Sequence, residues 1–289
     1  MVVIGDIIRK GARLYPNKVG VIFGEARLTY KNFNERINRL AHSLMKLGLK
    51  KGDAISVLSE SCSQYLEIFF ACAKLGVVVV PLNFRLAPKE IMYIINDAEP
   101  VLLFVGEDFL KVADSIRPEL KTVRNYVSIN KPYDTMAYYE EILSEDTSEP
   151  DAKIEEDDLF TIIYTGGTTG LPKGVMLSHR NMLTALLGYY IGYGITQSDK
   201  MLFILPMFHT TIFGPLMLLA AGGSVVILRR PEPKLMLQTI EKEKITFINA
   251  VPTVYNLLLQ DPDLKNYDFS SLRLLSYGGS PMPEEVLKR

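Results

Sequence analysis

Apolar residues follow two different spacings along the chain, and the changes between them predict where helices and strands lie. Residues 30–47 carry apolar side chains three or four positions apart, as an amphipathic helix does, and Gly48 follows as a typical C-terminal cap. Short continuous apolar runs such as 54–58 and 101–105 predict buried strands. The predicted helices are 6–15, 30–47, 63–75, 88–96, 109–117, 179–191, 234–243 and 250–259. The predicted strands are 19–23, 27–29, 54–58, 77–81, 101–105, 122–128, 159–164, 175–177, 201–205, 224–228, 246–249 and 272–277.

Strands and helices alternate from Asp53 onward, and this order predicts the fold class. Parallel strands need helical crossovers, which cover both faces of their sheet. We therefore expect an α/β protein with layered, mostly parallel sheets flanked by helices. The 289 residues, 48% of them hydrophobic, allow a large core or two packed lobes, approximately 50–195 and 1–49 plus 196–289.

Composition and charge exclude several classes of function. A net charge of -1 offers no field that would recruit nucleic acid or anionic lipid. No signal peptide opens the chain, and its most apolar run, 68–82, is too interrupted to form a transmembrane segment. Cys62 and Cys72 are expected to be buried reduced thiols, which favours a cytoplasmic location. The acidic stretch 140–158 is expected to be a solvated connector and not a metal site.

The sequence LFTIIYTGGTTGLPKGVMLSH, residues 159–179, predicts a loop that holds a polyphosphate. Glycines let backbone N–H groups converge on an anion, while threonine hydroxyls and a lysine add donors and charge. The alternative is an exposed hairpin with a polar tip, which needs fewer glycines. A Walker A loop and a dinucleotide fingerprint are both excluded by the spacing. The predicted phosphate-binding residues are Thr165, Gly166, Gly167, Thr168, Thr169, Gly170 and Lys173.

A histidine follows the predicted strand 201–205 in the segment PMFHTT. Ligands of open α/β sheets bind at the carboxyl ends of strands, where His209 would lie. The alternative is a hydrogen-bonded histidine of the core. The neighbouring Phe208, Thr210 and Phe213 resemble a pocket wall, so we favour a functional role.

The loop TGGTTGLPKG resembles the signature loop of the adenylate-forming superfamily, which includes acyl-CoA synthetases, aryl-CoA ligases, luciferases and peptide-synthetase adenylation domains. It departs from the pattern where many members carry serine and this chain has Gly166 or Gly167. Further segments similar to the family are LTYKNFNERINRLAHSLMKLGLKKGD, PLNFRLAPKEI, PMFH and GGSP, so the resemblance covers nearly the whole chain.

The resemblance implies a two-step reaction and a set of site residues. A carboxylic acid attacks ATP to give an acyl adenylate and pyrophosphate, and CoA then displaces AMP, with Mg²⁺ neutralising the phosphates. Catalytic roles fall to Lys173, His209 and Thr168. The nucleotide would also contact the turn Tyr277, Gly278, Gly279, Ser280 and Pro281. The acyl group would contact Phe208, His209, Thr210, Phe213, Val251 and Tyr255.

The family continues with segments that this sequence does not contain. These are a Tyr-Gly-x-Thr-Glu segment whose glutamate holds Mg²⁺, an aspartate for the ribose, and a mobile C-terminal domain with a second catalytic lysine. We therefore expect the chain to be the N-terminal portion of a larger enzyme, and to bind nucleotide weakly without turnover by itself. A homodimer stays open.

The substrate expected first is a medium- or long-chain fatty acid, and second an aromatic acid. Residues 205–214 contain no aspartate to pair with an amino-acid ammonium, which disfavours amino-acid activation. Two alternatives of other classes are a luciferase-type oxygenase and a non-catalytic nucleotide- or partner-binding module.

Overall fold

The structure is a computed structural model that describes residues 2–166 and 170–288. Numbered in chain order, its strands are β1 (Val19–Phe23), β2 (Ala26–Thr29), β3 (Ala54–Leu58), β4 (Val78–Pro81), β5 (Leu102–Val105), β6 (Asn125–Ser128), β7 (Ala137–Tyr138), β8 (Leu159–Thr165), β9 (Lys173–Ser178), β10 (Lys200–Phe203), β11 (Ser224–Ile227), β12 (Phe247–Ala250) and β13 (Leu274–Tyr277). Its helices are α1 (Ile4–Leu14), α2 (Tyr30–Lys46), α3 (Ser63–Leu75), α4 (Pro88–Ala98), α5 (Leu110–Ile116), α6 (Tyr139–Ile142), α7 (His179–Tyr193), α8 (Phe213–Ala220), α9 (Pro233–Glu243), α10 (Pro252–Leu259) and α11 (Glu284–Leu287).

The strands form two sheets, both mostly parallel. In the described part of the chain, a seven-stranded sheet has the order β7-β6-β5-β3-β4-β8-β9, and only β8 and β9 pair antiparallel. A six-stranded sheet has the order β13-β12-β10-β11-β1-β2, and only β1 and β2 pair antiparallel. The predicted α/β class with layered, mostly parallel sheets is confirmed.

Both sheets are covered on both faces, so successive strand residues enter different cores. In β3, Ile55 and Val57 join a central core that also contains Val225 and Ile227 of the other sheet. Leu58 faces away, into a separate core under α4 and α5. A third core lies between the six-stranded sheet and the helices α9 and α10. The central core includes residues of α1, α2, α3, α7 and α8, which places these helices between the sheets.

Helix ends follow the local sequence closely. The side chain of Thr29 caps α2 by accepting a hydrogen bond from the Asn32 N–H at 3.2 Å. Gly76 ends α3 at a φ of 68°, a left-handed conformation that glycine adopts without strain. A β-carbon at Gly76 would also lie 2.8 Å from the Cδ1 of Ile154. The predicted bounds of 54–58 and 63–75 match β3 and α3.

One helix was missed by the sequence analysis, and one prediction was wrong. No helix was predicted over the range of α8, where the sequence FGPLMLLA is almost wholly apolar and has no polar face. The acidic stretch 140–158 is not merely a solvated connector, because Leu143 and Ser144 are buried in it. Within it, Glu149 accepts a hydrogen bond from the buried Lys74 ammonium at 2.7 Å.

None of the helices in the described residues is both long enough and apolar enough to cross a membrane.

Candidate functional site

A cavity of about 450 Å³ opens at the carboxyl ends of three neighbouring strands, β10, β12 and β13. Crevices at this edge of an open α/β sheet are the usual ligand sites of such folds. Its volume is within the roughly 300–1,000 Å³ range of small-molecule pockets. The cavity is lined by Tyr189, Tyr193, Leu205, His209, Thr210, Thr211, Phe213, Gly214, Met217, Phe247, Asn249, Ala250, Val251, Tyr277, Gly278 and Gly279.

The register of the parallel strands brings together residues far apart in the sequence. Ala250 at the end of β12 is opposite Tyr277 at the end of β13. The segments that leave these strands therefore begin at the same edge, and the Gly278 N–H donates to the Ala250 carbonyl at 3.3 Å. Gly279 has a φ of 82°, a conformation that a side chain would strain. The result is a narrow turn whose backbone faces the cavity.

The opposite wall is aromatic. Tyr189 and Tyr193 lie one turn apart on α7 with ring centroids 5.9 Å apart, and Tyr189 is 6.0 Å from Phe213 of α8. Tyr193 is 5.5 Å from Phe247 of β12. None of the described lining residues is an aspartate, glutamate, lysine or arginine. The wall therefore suits an uncharged apolar group.

His209 brings a titratable group to this cavity. It follows Phe208 and precedes a single 3₁₀ turn, Thr210–Ile212, whose Ile212 N–H donates to the His209 carbonyl at 3.2 Å. Partial burial lowers the pKa of His209, and the positive charge of Arg85 lowers it further. The ring is therefore neutral at neutral pH, with one nitrogen as donor and the other as acceptor.

Several predicted acyl- and nucleotide-contacting residues line this cavity, and others lie elsewhere. His209, Thr210, Phe213, Val251, Tyr277, Gly278 and Gly279 are brought together in its lining. Tyr255 is not, because its hydroxyl donates to the Ser276 carbonyl at 2.7 Å in the core beneath α10. Phe208 is only 2% exposed and is buried next to the cavity. Ser280 and Pro281 are exposed beyond the turn.

The predicted phosphate loop connects two antiparallel strands at the edge of the other sheet. Thr165 at the end of β8 pairs with Lys173 at the start of β9. Lys173 is exposed and forms no ion pair with the described residues, which leaves its ammonium group available to an anion. Gly166 is exposed as well, and Gly170 has a φ of 122°. Gly167, Thr168 and Thr169 lie outside the described residues.

Sequence reasoning missed much of the cavity wall. Tyr189 and Tyr193 carry a signal in their spacing of four, but the predicted helix ended at residue 191, before Tyr193. Asn249 is a polar residue at the end of the predicted apolar strand 246–249. Met217 belongs to the helix that was not predicted. The proximity of Arg85 to His209 had no signal in the sequence, because the two residues come from different sheets.

The model of the AMP-binding enzyme family matches residues 8–289. The chain belongs to the AMP-binding enzyme family. It is 32% identical over 281 residues to a feruloyl-CoA synthase of an Amycolatopsis species, a match that includes 96% of this chain and 54% of that protein. It is 31% identical over 292 residues to the long-chain-fatty-acid–CoA ligase FadD13 of Mycobacterium tuberculosis, which includes 99% of this chain and 57% of the relative. The chain thus spans about half the length of these AMP-binding relatives.

A solved structure shares the fold. The inhibitor-bound crystal structure of the N-terminal domain of FACL13 from Mycobacterium tuberculosis superposes with a TM-score of 0.93 at 30% identity. The match includes 100% of this chain and 72% of that one. The AMP-binding family and its adenylate-forming fold, expected from the signature loop, are therefore confirmed.

Proposed function

We propose that this chain supplies the nucleotide- and acyl-binding part of an AMP-forming acid–CoA ligase. The observation that carries the proposal is the uncharged, aromatic-walled cavity with His209 at its edge. ATP and CoA are the expected co-substrates, as in the family. A medium- or long-chain fatty acid is the substrate proposed first.

His209 would act by hydrogen bonding while neutral. Adenylation brings a carboxylate to the α-phosphate, so two anions approach each other and the barrier is largely electrostatic. A neutral imidazole can donate its single N–H to one of the two anions and hold that anion in position. Its lowered pKa supports this role at neutral pH.

Lys173 and the glycine–threonine loop would hold the terminal phosphates. The exposed ammonium group at the tip of the β8–β9 hairpin supports this assignment, together with Thr165 opposite it. Mg²⁺ would neutralise charge on the leaving pyrophosphate. Among the described residues, no group of three or more His, Cys, Asp or Glu side chains is arranged to hold a metal ion. We therefore assign no residue of this chain to magnesium.

An aromatic acid is the second candidate substrate. It is favoured by the four aromatic rings of the wall opposite Tyr277, which are Tyr189, Tyr193, Phe213 and Phe247, because aromatic pairs add specific attraction to burial. The similarity to a feruloyl-CoA synthase supports the same candidate. A cytoplasmic location and a homodimer stay predictions.

The test measures the two half-reactions separately. Pyrophosphate release and acyl-CoA formation are assayed with octanoate, palmitate, benzoate and ferulate, using both the 289-residue chain and the natural gene product that contains it. We expect the gene product to form acyl-CoA, and the 289-residue chain to bind ATP weakly without turnover. If both proteins bind ATP and neither forms an adenylate, the result would instead support the non-catalytic module.

Two variants test the assigned residues. Lys173→Met should lower the adenylation rate of the gene product at least tenfold, because one positioned charge at a phosphate is lost. Lys111→Met removes an exposed lysine of α5 and is the control. Equal rates for the two variants would contradict the role of Lys173.

A further inference from the structure

A row of aromatic rings crosses from the seven-stranded sheet to the six-stranded sheet beside His209. We call Phe109, Phe84 and Phe208 the aromatic row. Phe84 lies in the loop after β4, with its ring centroid 5.3 Å from that of Phe109 and 5.0 Å from that of Phe208. The Phe84 and Phe208 rings meet edge to face at 89°, an arrangement that aromatic quadrupoles favour.

Phe208 connects this row to the candidate site. Its side chain is 2% exposed, and its ring centroid is 4.4 Å from that of His209. A buried ring packed on a neighbour has few orientations, so the backbone that carries His209 is held in one arrangement. A second contact between the sheets supports the same loop, since the Ser61 hydroxyl donates to the Leu205 carbonyl at 3.0 Å.

Arg85 lies over the same rings. Its guanidinium carbon is 5.7 Å from the Phe84 centroid and 6.0 Å from the Phe208 centroid, within the range of a cation–π contact. No carboxylate among the described residues forms an ion pair with Arg85. After burial, its charge is the second cause of the lowered pKa of His209. The other titratable side chains that line the cavity are the phenols of Tyr189, Tyr193 and Tyr277.

We propose that Phe84 and Arg85 are positioning residues for His209, with Phe84 fixing its orientation through Phe208 and Arg85 supplying a positive charge beside it. Residues that follow a strand of the seven-stranded sheet would thereby set the orientation and the electrostatic surroundings of His209, which follows a strand of the six-stranded sheet. The catalytic meaning of this arrangement rests on the proposed function, but the effect on His209 itself does not.

The first test is an NMR titration of the three histidines in the 289-residue chain. Arg85→Met should raise the pKa of His209, because a neighbouring positive charge is removed, while Arg85→Lys should keep it lowered. Phe84→Leu should change the chemical shift of the His209 ring. Phe84→Tyr keeps an aromatic ring at residue 84 and should leave that chemical shift as it is in the parent. Arg124→Met, at an exposed arginine just before β6, is the control and should change neither quantity.

The second test measures adenylation by the natural gene product. Phe84→Leu should lower kcat about 10- to 100-fold with little change in KM for ATP, because misplacement of a catalytic group by about 1 Å has effects of that size. Arg85→Met should move the acid limb of the pH–rate profile to higher pH, since His209 then becomes protonated at a higher pH. Phe84→Tyr should recover the parent kcat.

Three results would overturn or separate these claims. A His209 titration that is identical in Arg85→Met, Phe84→Leu and the control would overturn the proposal. A loss confined to CoA transfer, with the titration unchanged, would also overturn it and assign Arg85 to the thiol substrate. Absence of adenylation in the parent protein would contradict the proposed function alone, and the NMR titration would still decide the positioning role.

Discussion

His179 is a buried histidine with a structural role, in contrast to His209. Its ring is 0% exposed at the start of α7, and its Nδ1 accepts a hydrogen bond from the Ile4 N–H at 3.2 Å. Its Nε2 has no hydrogen-bond partner among the described atoms. Burial lowers its pKa to about 4, although Asp158 and Asp6 oppose the change. The ring thus joins the N-terminus of α1 to the end of the β8–β9 hairpin only while it is neutral.

This arrangement predicts a loss of stability in mild acid. Between the unfolded pKa of 6.5 and the folded pKa of about 4, the unfolded chain binds the proton and the folded chain does not. The free energy of unfolding should therefore fall by about 3 kcal/mol as the pH is lowered across that interval. Urea unfolding at several pH values measures the slope. His179→Asn should flatten it, whereas Tyr190→Phe on the exposed face of α7 should keep it.

Lys74 is a second buried residue whose role depends on distant partners. Its ammonium group donates to Asn34, Asn38 and Glu149, each at 2.7 Å. Burial lowers the pKa of Lys74 to about 8. Burial by itself would raise the pKa of Glu149, but hydrogen bonds from Lys74 and Asn34 and the charge of Lys74 outweigh it and hold that pKa at about 2. All three donor positions of the ammonium group are thereby used, and the segment before β8 is fixed to α2 and α3.

Removal of Lys74 should destabilise the fold. We expect Lys74→Met to lower the free energy of unfolding by about 3 kcal/mol. This is the lower limit of the cost of removing one partner of a buried ion pair, because Glu149 retains contact with water. Lys111→Met, at a surface position, should change it by no more than about 0.5 kcal/mol. Equal unfolding midpoints in urea for the two variants would show that the network is not stabilising.

At the scale of elements, the start of α7 is set by its own sequence. Ser178 is the N-cap, and its hydroxyl accepts a hydrogen bond from the Asn181 N–H at 3.2 Å. The Asn181 side chain in turn accepts from the Ser178 N–H at 3.0 Å. The predicted cap at Ser178 is confirmed, because this interaction spans only three residues and needs no tertiary contact.

Loss of this cap should have a moderate and specific effect. Ser178→Ala should lower the free energy of unfolding by about 1 kcal/mol, since the Asn181 N–H loses the side-chain oxygen that accepts its hydrogen bond. Ser178→Asp keeps a side-chain acceptor at the cap and should remain near the parent. Thermal unfolding of the three proteins measures both effects, and equal melting temperatures for Ser178→Ala and the parent would contradict this role.

The helix α8 illustrates what element-scale patterns leave out. Its sequence is apolar on nearly every face because it packs against α1, α7 and the strands β10 and β11. A helix surrounded by protein has no polar side to reveal its period. Strand bounds, in contrast, were predicted to within about two residues at β3, β5 and β11, where apolar runs end at polar or glycine residues.

At the scale of the molecule, the central core belongs to both sheets. Ile55 of β3 and Ile227 of β11 are 0% and 1% exposed and lie in the same cluster of buried residues. The division into lobes 50–195 and 1–49 plus 196–289 stays a prediction. Strand membership agrees with it, but α1, α2 and α3 fill the space between the sheets.

A shared core predicts one cooperative unfolding transition. Ile55→Ala and Ile227→Ala should each lower the free energy of unfolding by about 2–5 kcal/mol and shift the whole transition. Far-UV circular dichroism and tyrosine fluorescence should give the same midpoint for each variant. Two separate transitions, each sensitive to only one substitution, would show that the lobes unfold independently. Leu187→Ala, at a residue 59% exposed, is the control.

The sequence by itself determined what depends on neighbouring residues. Periodic apolar positions, caps such as Ser178 and the glycine-rich loop are local signals, because helix turns, strand pleats and phosphate loops are formed by consecutive residues. The family resemblance of the loop led to the same fold and to His209. These features need no knowledge of which strands become neighbours.

Only the tertiary structure decided which distant residues meet. The register of β12 and β13 placed Val251 beside Gly279. The packing of the segment after β4 against the segment after β10 placed Phe84 on Phe208 and brought the charge of Arg85 within reach of His209. Such pairings are fixed by the packing of whole layers of helices and sheets. The apolar pattern of a strand shows that one of its faces is buried, but it does not show which other segment covers that face. The wall of the cavity and the surroundings of His209 are therefore properties of the fold and not of any one segment.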